Sequence, residues 1–132
     1  MKRALCVAFG VERGVEATAD ALAYGWEQWG RVSVMANPAG YLYRVGHSRA
    51  RTRRTPRPDF PAVPADSPWV EPSLPDALAG LSESQRLAVW LVHGFEWTAT
   101  EVASLLDVSV STVRKHLERG ERKLRRALGV PS

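Results

Sequence analysis

The sequence holds one cysteine, two methionines and three separated histidines in 132 residues. A lone thiol cannot form an internal disulfide, and Cys6, set in the apolar stretch 4–9, reads as a small buried hydrophobe rather than a nucleophile. His47, His93 and His116 stand far apart, and no Cys/His cluster with metal spacing, Gly-x-Ser-x-Gly turn or phosphate loop occurs. The expectation is therefore no enzyme, no catalytic residue, no metal and no cofactor. No apolar run approaches the roughly 18 residues of a membrane span. The stretch 4–9 passes at once into Val11-Glu12-Arg13 with no small-residue cleavage site, so the reading is a cytoplasmic protein without a membrane partner. Period-two alternation and internal repeats are also missing, which excludes a sheet and leaves an all-α chain.

Charge and proline are present and unevenly placed. Residues 1–55 carry nine Lys/Arg against four Asp/Glu, residues 109–129 carry seven against two, and residues 56–80 carry one against four. Two basic units around an acidic connector suit two contacts with a polyanion, for which nucleic acid is the leading candidate. Seven of the nine prolines fall between Pro56 and Pro75. Each fixes its own φ and drives its predecessor out of the α region, so this stretch reads as a semi-stiff linker. The expected organisation is a helical unit over 1–55, a Pro-rich linker over 56–73 and a four-helix helix-turn-helix domain over 74–132.

Before the linker, one helix is expected from about Val15 to Trp29, gathering Ala19, Leu22, Ala23, Trp26 and Trp29 on an inward face. A second begins at Asn37-Pro38, where Asn37 caps and Pro38 suits the first helical position, and ends among Arg49, Arg51, Arg53 and Arg54. A short apolar helix over 4–9 packs on these two. Tyr41 and Trp29 read as core aromatics. After the linker come a short piece from Leu74 to Leu81 and a helix opened by the capping box Ser82-Glu83-Ser84-Gln85, running to about His93 and stopped by Gly94. Thr98-Ala99-Thr100-Glu101 is a second capping box. Its helix buries Val102, Leu105 and Leu106, with small Ala103 at a close helix crossing. Asp107-Val108-Ser109 then makes a tight turn in which Val108 plugs the core and Ser109 caps a last helix from Val110 to about Leu128. Val110, Val113, Leu117, Leu124 and Leu128 point inward, while Ser111, Thr112, Arg114, Lys115, Glu118, Arg119 and Arg122 point out. An α-helix fits the major groove with its first turns at the base edges and its cations near phosphates, so this face points to DNA.

These residues resemble the RNA polymerase sigma factors of the extracytoplasmic-function group. The run Leu81-Ser82-Glu83-Ser84-Gln85-Arg86, with Glu101-Val102-Ala103 and Ser109 through Leu117, is similar to sigma-70 region 4. Asn37-Pro38-Ala39-Gly40-Tyr41-Leu42-Tyr43-Arg44-Val45 and the arginines after it resemble region 2. The departures are a short first helix, a polymerase-binding helix whose acidic and glutamine-rich pattern is reduced to Glu16 and Asp20 among alanines, and Asp107 where the turn often has Gly. The resemblance implies a sigma factor that binds promoter DNA and starts transcription with core RNA polymerase. Ser109, Ser111, Thr112, Arg114, Lys115 and Arg119 would contact the −35 element. Asn37, Arg44, Arg49, Arg51, Arg53 and Arg54 would lie near the −10 element, and Glu16, Asp20, Trp26 and Trp29 would sit on or behind the polymerase-binding helix. An anti-sigma factor is a further partner that it allows.

Two other readings compete. A transcription regulator of the response-regulator output type has a closely similar helix-turn-helix, but no receiver-like alternation precedes it here. A shortened sigma-like protein would bind polymerase or an anti-sigma factor without initiating, and the short first helix motivates that reading.

Overall fold

The computed structural model describes residues 1–52 and 74–129, and all of its regular structure is helical. The linker over 56–73 and the candidate residues Arg53 and Arg54 lie outside the described residues. The N-terminal half comprises α1 (Lys2–Phe9), α2 (Val11–Glu27), α3 (Trp29–Val32) and α4 (Pro38–Arg51). The C-terminal half comprises α5 (Leu74–Ala79), α6 (Glu83–Val89), α7 (Ala99–Leu106) and α8 (Val110–Ala127). Helix α6 does not stop in α geometry: it continues as a π-helical turn over Trp90–Gly94, to the glycine expected to end it.

Residues Ala4 through Phe9 of α1 are all buried. A helix this short is marginal in water and depends on tertiary packing. Gly10, at φ 95°, makes the turn from α1 into α2, a left-handed backbone that a side chain would resist. The two helices then come so close that a Cβ on Gly14 would lie 2.5 Å from Cys6 Cα. Helix α4 also approaches α2 closely, since a Cβ on Gly46 would meet the Ala17 carbonyl at 3.2 Å and Ala21 Cβ at 3.5 Å.

This closeness reverses the expected face of α2. Its buried residues are Gly14, Ala17, Thr18, Ala21 and Gly25, while Ala19, Leu22, Ala23 and Trp26 are exposed. Leu22 is 55% exposed, Trp26 86%, and Trp29, on α3, 55%. Both sets recur at helical spacing, and only the small one leaves room for α1 and α4. Trp29 is thus not a core aromatic, and Tyr41 is half-buried rather than enclosed. Val108, expected to plug the core, is also outside at 41% exposure, because the turn before α8 lifts it from the apolar cluster.

A single core joins the halves. Leu5, Val7, Phe9 and Tyr43 share one apolar cluster with Leu78, Leu87, Trp90, Leu91, Val102 and Val113. Arg86 of α6 seals the junction and is 7% exposed. Its guanidinium donates to the carbonyls of Val7 (2.7 Å), Ala8 (2.8 Å) and Leu81 (3.0 Å). Two of these acceptors end α1, where helical carbonyls lack partners of their own. Burial lowers the Arg86 pKa from its usual value, yet the group stays charged at any physiological pH.

Replacing Arg86 by Met should cost about 2–4 kcal/mol in urea denaturation, because it leaves buried carbonyls unpaired. Trp26→Ala should cost less than about 1 kcal/mol, since its side chain is largely in solvent. The reverse order would place the core on the other face of α2.

Candidate nucleic-acid interface

Three side-chain caps set out the C-terminal half. Ser82 and Gln85 form a reciprocal box that opens α6, and Thr98 and Glu101 form another that opens α7. At the end of α7, Asp107 takes the left-handed conformation (φ 56°, ψ 48°), which Asp tolerates better than most residues. The chain reverses in three residues, and Ser109 Oγ accepts from the Thr112 amide at 3.1 Å to cap α8.

Helix α8 is anchored by Val113, 1% exposed, with Val110, Leu117 and Leu124 half-buried against the core. Gly120 completes this stripe: a Cβ there would lie 2.6 Å from Val89 Cγ2, so α6 and α8 cross at a residue without a side chain. The opposite face is open. Ser109, Ser111, Arg114, Lys115 and Arg119 are exposed and Thr112 is half-buried. Among the described residues, no acid pairs with Arg114, Lys115 or Arg119. Glu118 instead pairs with Arg122, one turn on, at 2.9 Å. Ser109 Oγ lies 3.1 Å from Ser111 Oγ and 2.8 Å from Thr112 Oγ1, so hydroxyls gather at the positive end of the helix dipole. Amide ends, hydroxyls and unpaired cations together suit a phosphate backbone beside base edges.

The second basic cluster lies on α4. Asn37 caps its own helix by accepting from the Gly40 amide at 3.1 Å and donates from Nδ2 to the Ser104 carbonyl of α7 at 2.6 Å. Arg44 Nη2 reaches Asp107 Oδ2 at 3.5 Å. Arg49 stands 5.9 Å from the centre of the Tyr24 ring, and Arg51 is exposed in the last turn. Tyr24, Tyr41, Arg44, Val45, Ser48 and Arg49 line a groove of about 420 Å³ between α2 and α4. The hydroxyls of Tyr24 and Tyr41 share a hydrogen bond of 3.2 Å, and Arg31 donates to Tyr24. The shared bond raises the Tyr24 pKa and lowers that of Tyr41.

The sequence pattern does not single out Tyr24 and Arg31, since one sits on a helix dominated by its large apolar face and the other beyond its end. Their seven-residue spacing, two helical turns, was the available signal. Of the remaining candidates, Glu16, Trp26 and Trp29 are exposed and Asp20 is half-buried; Trp26 and Trp29 share one apolar groove, which Glu16 and Asp20 do not line.

Residues 73–124 match the family described as sigma-70, region 4. The match takes in α5 through most of α8, so the exposed cationic turns fall within the matched segment. The fold is similar to that of the sigma factor RpoE from Bartonella quintana, solved in complex with the anti-sigma factor NepR. The two are 17% identical, with 98% of this chain and 89% of that chain covered at a TM-score of 0.66. No curated protein sequence matches the chain.

Removing the cap hydroxyl of α8 by Ser109→Ala should cost about 1 kcal/mol in thermal or urea unfolding. The Glu101 carboxylate accepts from the Thr98 amide at 3.0 Å, and this bond lowers its pKa. Its contribution is complete above the ordinary glutamate value and is lost as pH falls through the lowered folded value. A carbon-detected NMR titration should find the Glu101 midpoint below the ordinary glutamate range, and an unshifted midpoint would mean the box is open in solution.

Proposed function

We propose that the protein is a sigma factor that binds promoter DNA and starts transcription with core RNA polymerase, in the cytoplasm and without catalysis of its own. The carrying observation is the unpaired cationic opening of α8, presented on a helix-turn-helix within the region 4 match. In this reading α8 enters the major groove of the −35 element. Ser111, Thr112, Arg114 and Lys115 lie at the base edges, with Ser109 and Arg119 at phosphates. Asn37, Arg44, Arg49 and Arg51, with Arg53 and Arg54 beyond the described residues, would meet the −10 element. Tyr24 and Tyr41 offer ring faces in the same groove.

The polymerase contact is proposed at the outer face of α2 and α3. Leu22, Gly25, Trp26, Trp29 and Leu42 line an apolar groove of about 370 Å³ there, and Glu16 and Asp20 lie along its helix. Large exposed apolar patches mark interaction sites on soluble proteins, and tryptophan is over-represented among residues that dominate binding energy. Trp26 and Trp29 would be the anchors. An anti-sigma factor is proposed as a further partner by analogy with the RpoE complex. Among the described residues no helix is long and apolar enough to cross a membrane.

Pull-down of core RNA polymerase by the tagged chain, followed by run-off transcription from genomic fragments, tests the reading. Polymerase capture without transcripts would favour the shortened, non-initiating protein, and loss of both would end the proposal. For the duplex contact, Arg114→Ala and Lys115→Ala should each weaken binding of a selected promoter by about 1–3 kcal/mol if they meet base edges. Affinity should also fall steeply between low and moderate salt. Unchanged affinity in both variants would show that α8 is oriented otherwise.

A further inference from the structure

We propose that a cavity lined by α4, α6, α7 and α8 is a binding site for a small neutral aromatic molecule, of benzene size, that carries one hydrogen-bond acceptor. Its lining includes none of the candidate DNA or polymerase contacts, and the site stands whether or not the protein binds a promoter.

Size sets the first limit. The cavity holds about 170 Å³. Apolar protein cavities of roughly 150 Å³ accept benzene, whereas pockets for larger ligands run from about 300 to 1,000 Å³. A nucleotide or sugar phosphate is therefore too large. The wall is mainly apolar, with Leu87 of α6, Val102 and Leu106 of α7 and Val113 of α8. Val108, 41% exposed, stands on the same wall, so the cavity reaches the surface beside the α7–α8 turn and an occupant enters without parting the core. His47 and His116 also line it, but among the described residues no group of three His, Cys, Asp or Glu is placed to hold a metal.

One buried group decides the chemistry of the occupant. Tyr43 lines the cavity and is 4% exposed, and its hydroxyl has no hydrogen-bond partner among the described residues. A buried hydroxyl without a partner carries a desolvation cost that an occupant's polar atom would remove. Burial, and then the Glu83 carboxylate, hold the Tyr43 pKa above its usual value, so the group stays protonated and donates. The occupant accordingly needs an acceptor. It must also be uncharged. Glu83 lines the same cavity, and an anion would meet that carboxylate in largely apolar surroundings. A cation would find the carboxylate already paired with His47 at 2.9 Å. The rings of Tyr43 and His47, their centres 6.0 Å apart, suit an aromatic neighbour.

Phenol is the probe. The full chain, carbon-13 labelled at its methyl groups, is titrated with phenol and followed by NMR, with benzene and benzoate in parallel. The methyls of Leu87, Val102 and Val113 should shift and saturate at a dissociation constant of about 1 mM or below, while those of Leu22, beside Trp26, stay fixed. Benzene should bind about fivefold more weakly, for want of the hydrogen bond, and benzoate should leave the three methyls unmoved. Tyr43→Phe, which keeps the ring and its packing, should weaken phenol about fivefold and leave benzene within about twofold. Leu106→Phe, which fills the cavity from a half-buried position, should abolish both. No saturable shift at the three methyls, or shifts confined to Leu22, overturns the site. Equal affinity of phenol for the wild-type chain and Tyr43→Phe, or binding of benzoate as tight as phenol, overturns the assigned ligand class. Should Leu106→Phe fail to fold, the phenol and benzene affinities of Tyr43→Phe decide alone.

Discussion

The structure depends on burying α1 between two layers that would otherwise lack a common core. The helix is too short to be stable by itself. Its side chains pack against α2 and α4 on one side and against α6 on the other, and its terminal carbonyls need donors inside the protein. Arg86 supplies them from a helix nearly eighty positions away in sequence. A buried guanidinium would be costly if it lacked these acceptors, and the acceptors would be costly without it. Each half therefore completes the other's polar requirements as well as its apolar ones.

Tight packing around α2 has a functional consequence at the opposite surface. Glycine and alanine at the crossings bring α1 and α4 close to the α2 backbone, and Val15, Leu22 and Trp26 of that helix are displaced outward. Trp26 and Trp29 remain in solvent beside a groove that a partner can fill. The same economy of small residues recurs where Gly120 lets α8 cross α6. There it fixes α8 by its inner stripe and leaves the cationic turns exposed.

The two basic surfaces have different freedom. The opening of α8 is held by a cap, a three-residue turn and Val113, and among the described residues no acid pairs with Arg114, Lys115 or Arg119. The α4 surface is partly occupied by the turn that positions α8. Geometry thus separates the proposed duplex contact from the proposed contact with melted DNA, although both belong to one chain of modest net charge.

Local chemistry determined much of this protein from sequence alone. The two capping boxes, Asn37-Pro38, the tight turn at Asp107 and the serine cap at 109 are read from neighbours within four residues, and the structure forms each as expected. The outward face of α8 was legible for the same reason, since its apolar and charged residues separate cleanly at helical spacing. Only the tertiary structure decided which face of α2 is buried, because two stripes satisfy the same period and the choice turns on how closely other helices approach. It also decided that Val108 lies outside, that Tyr24 joins Tyr41 and the arginines in one groove, and that Arg86 reaches α1. Those outcomes depend on contacts between residues distant in sequence, whose distances no local pattern encodes.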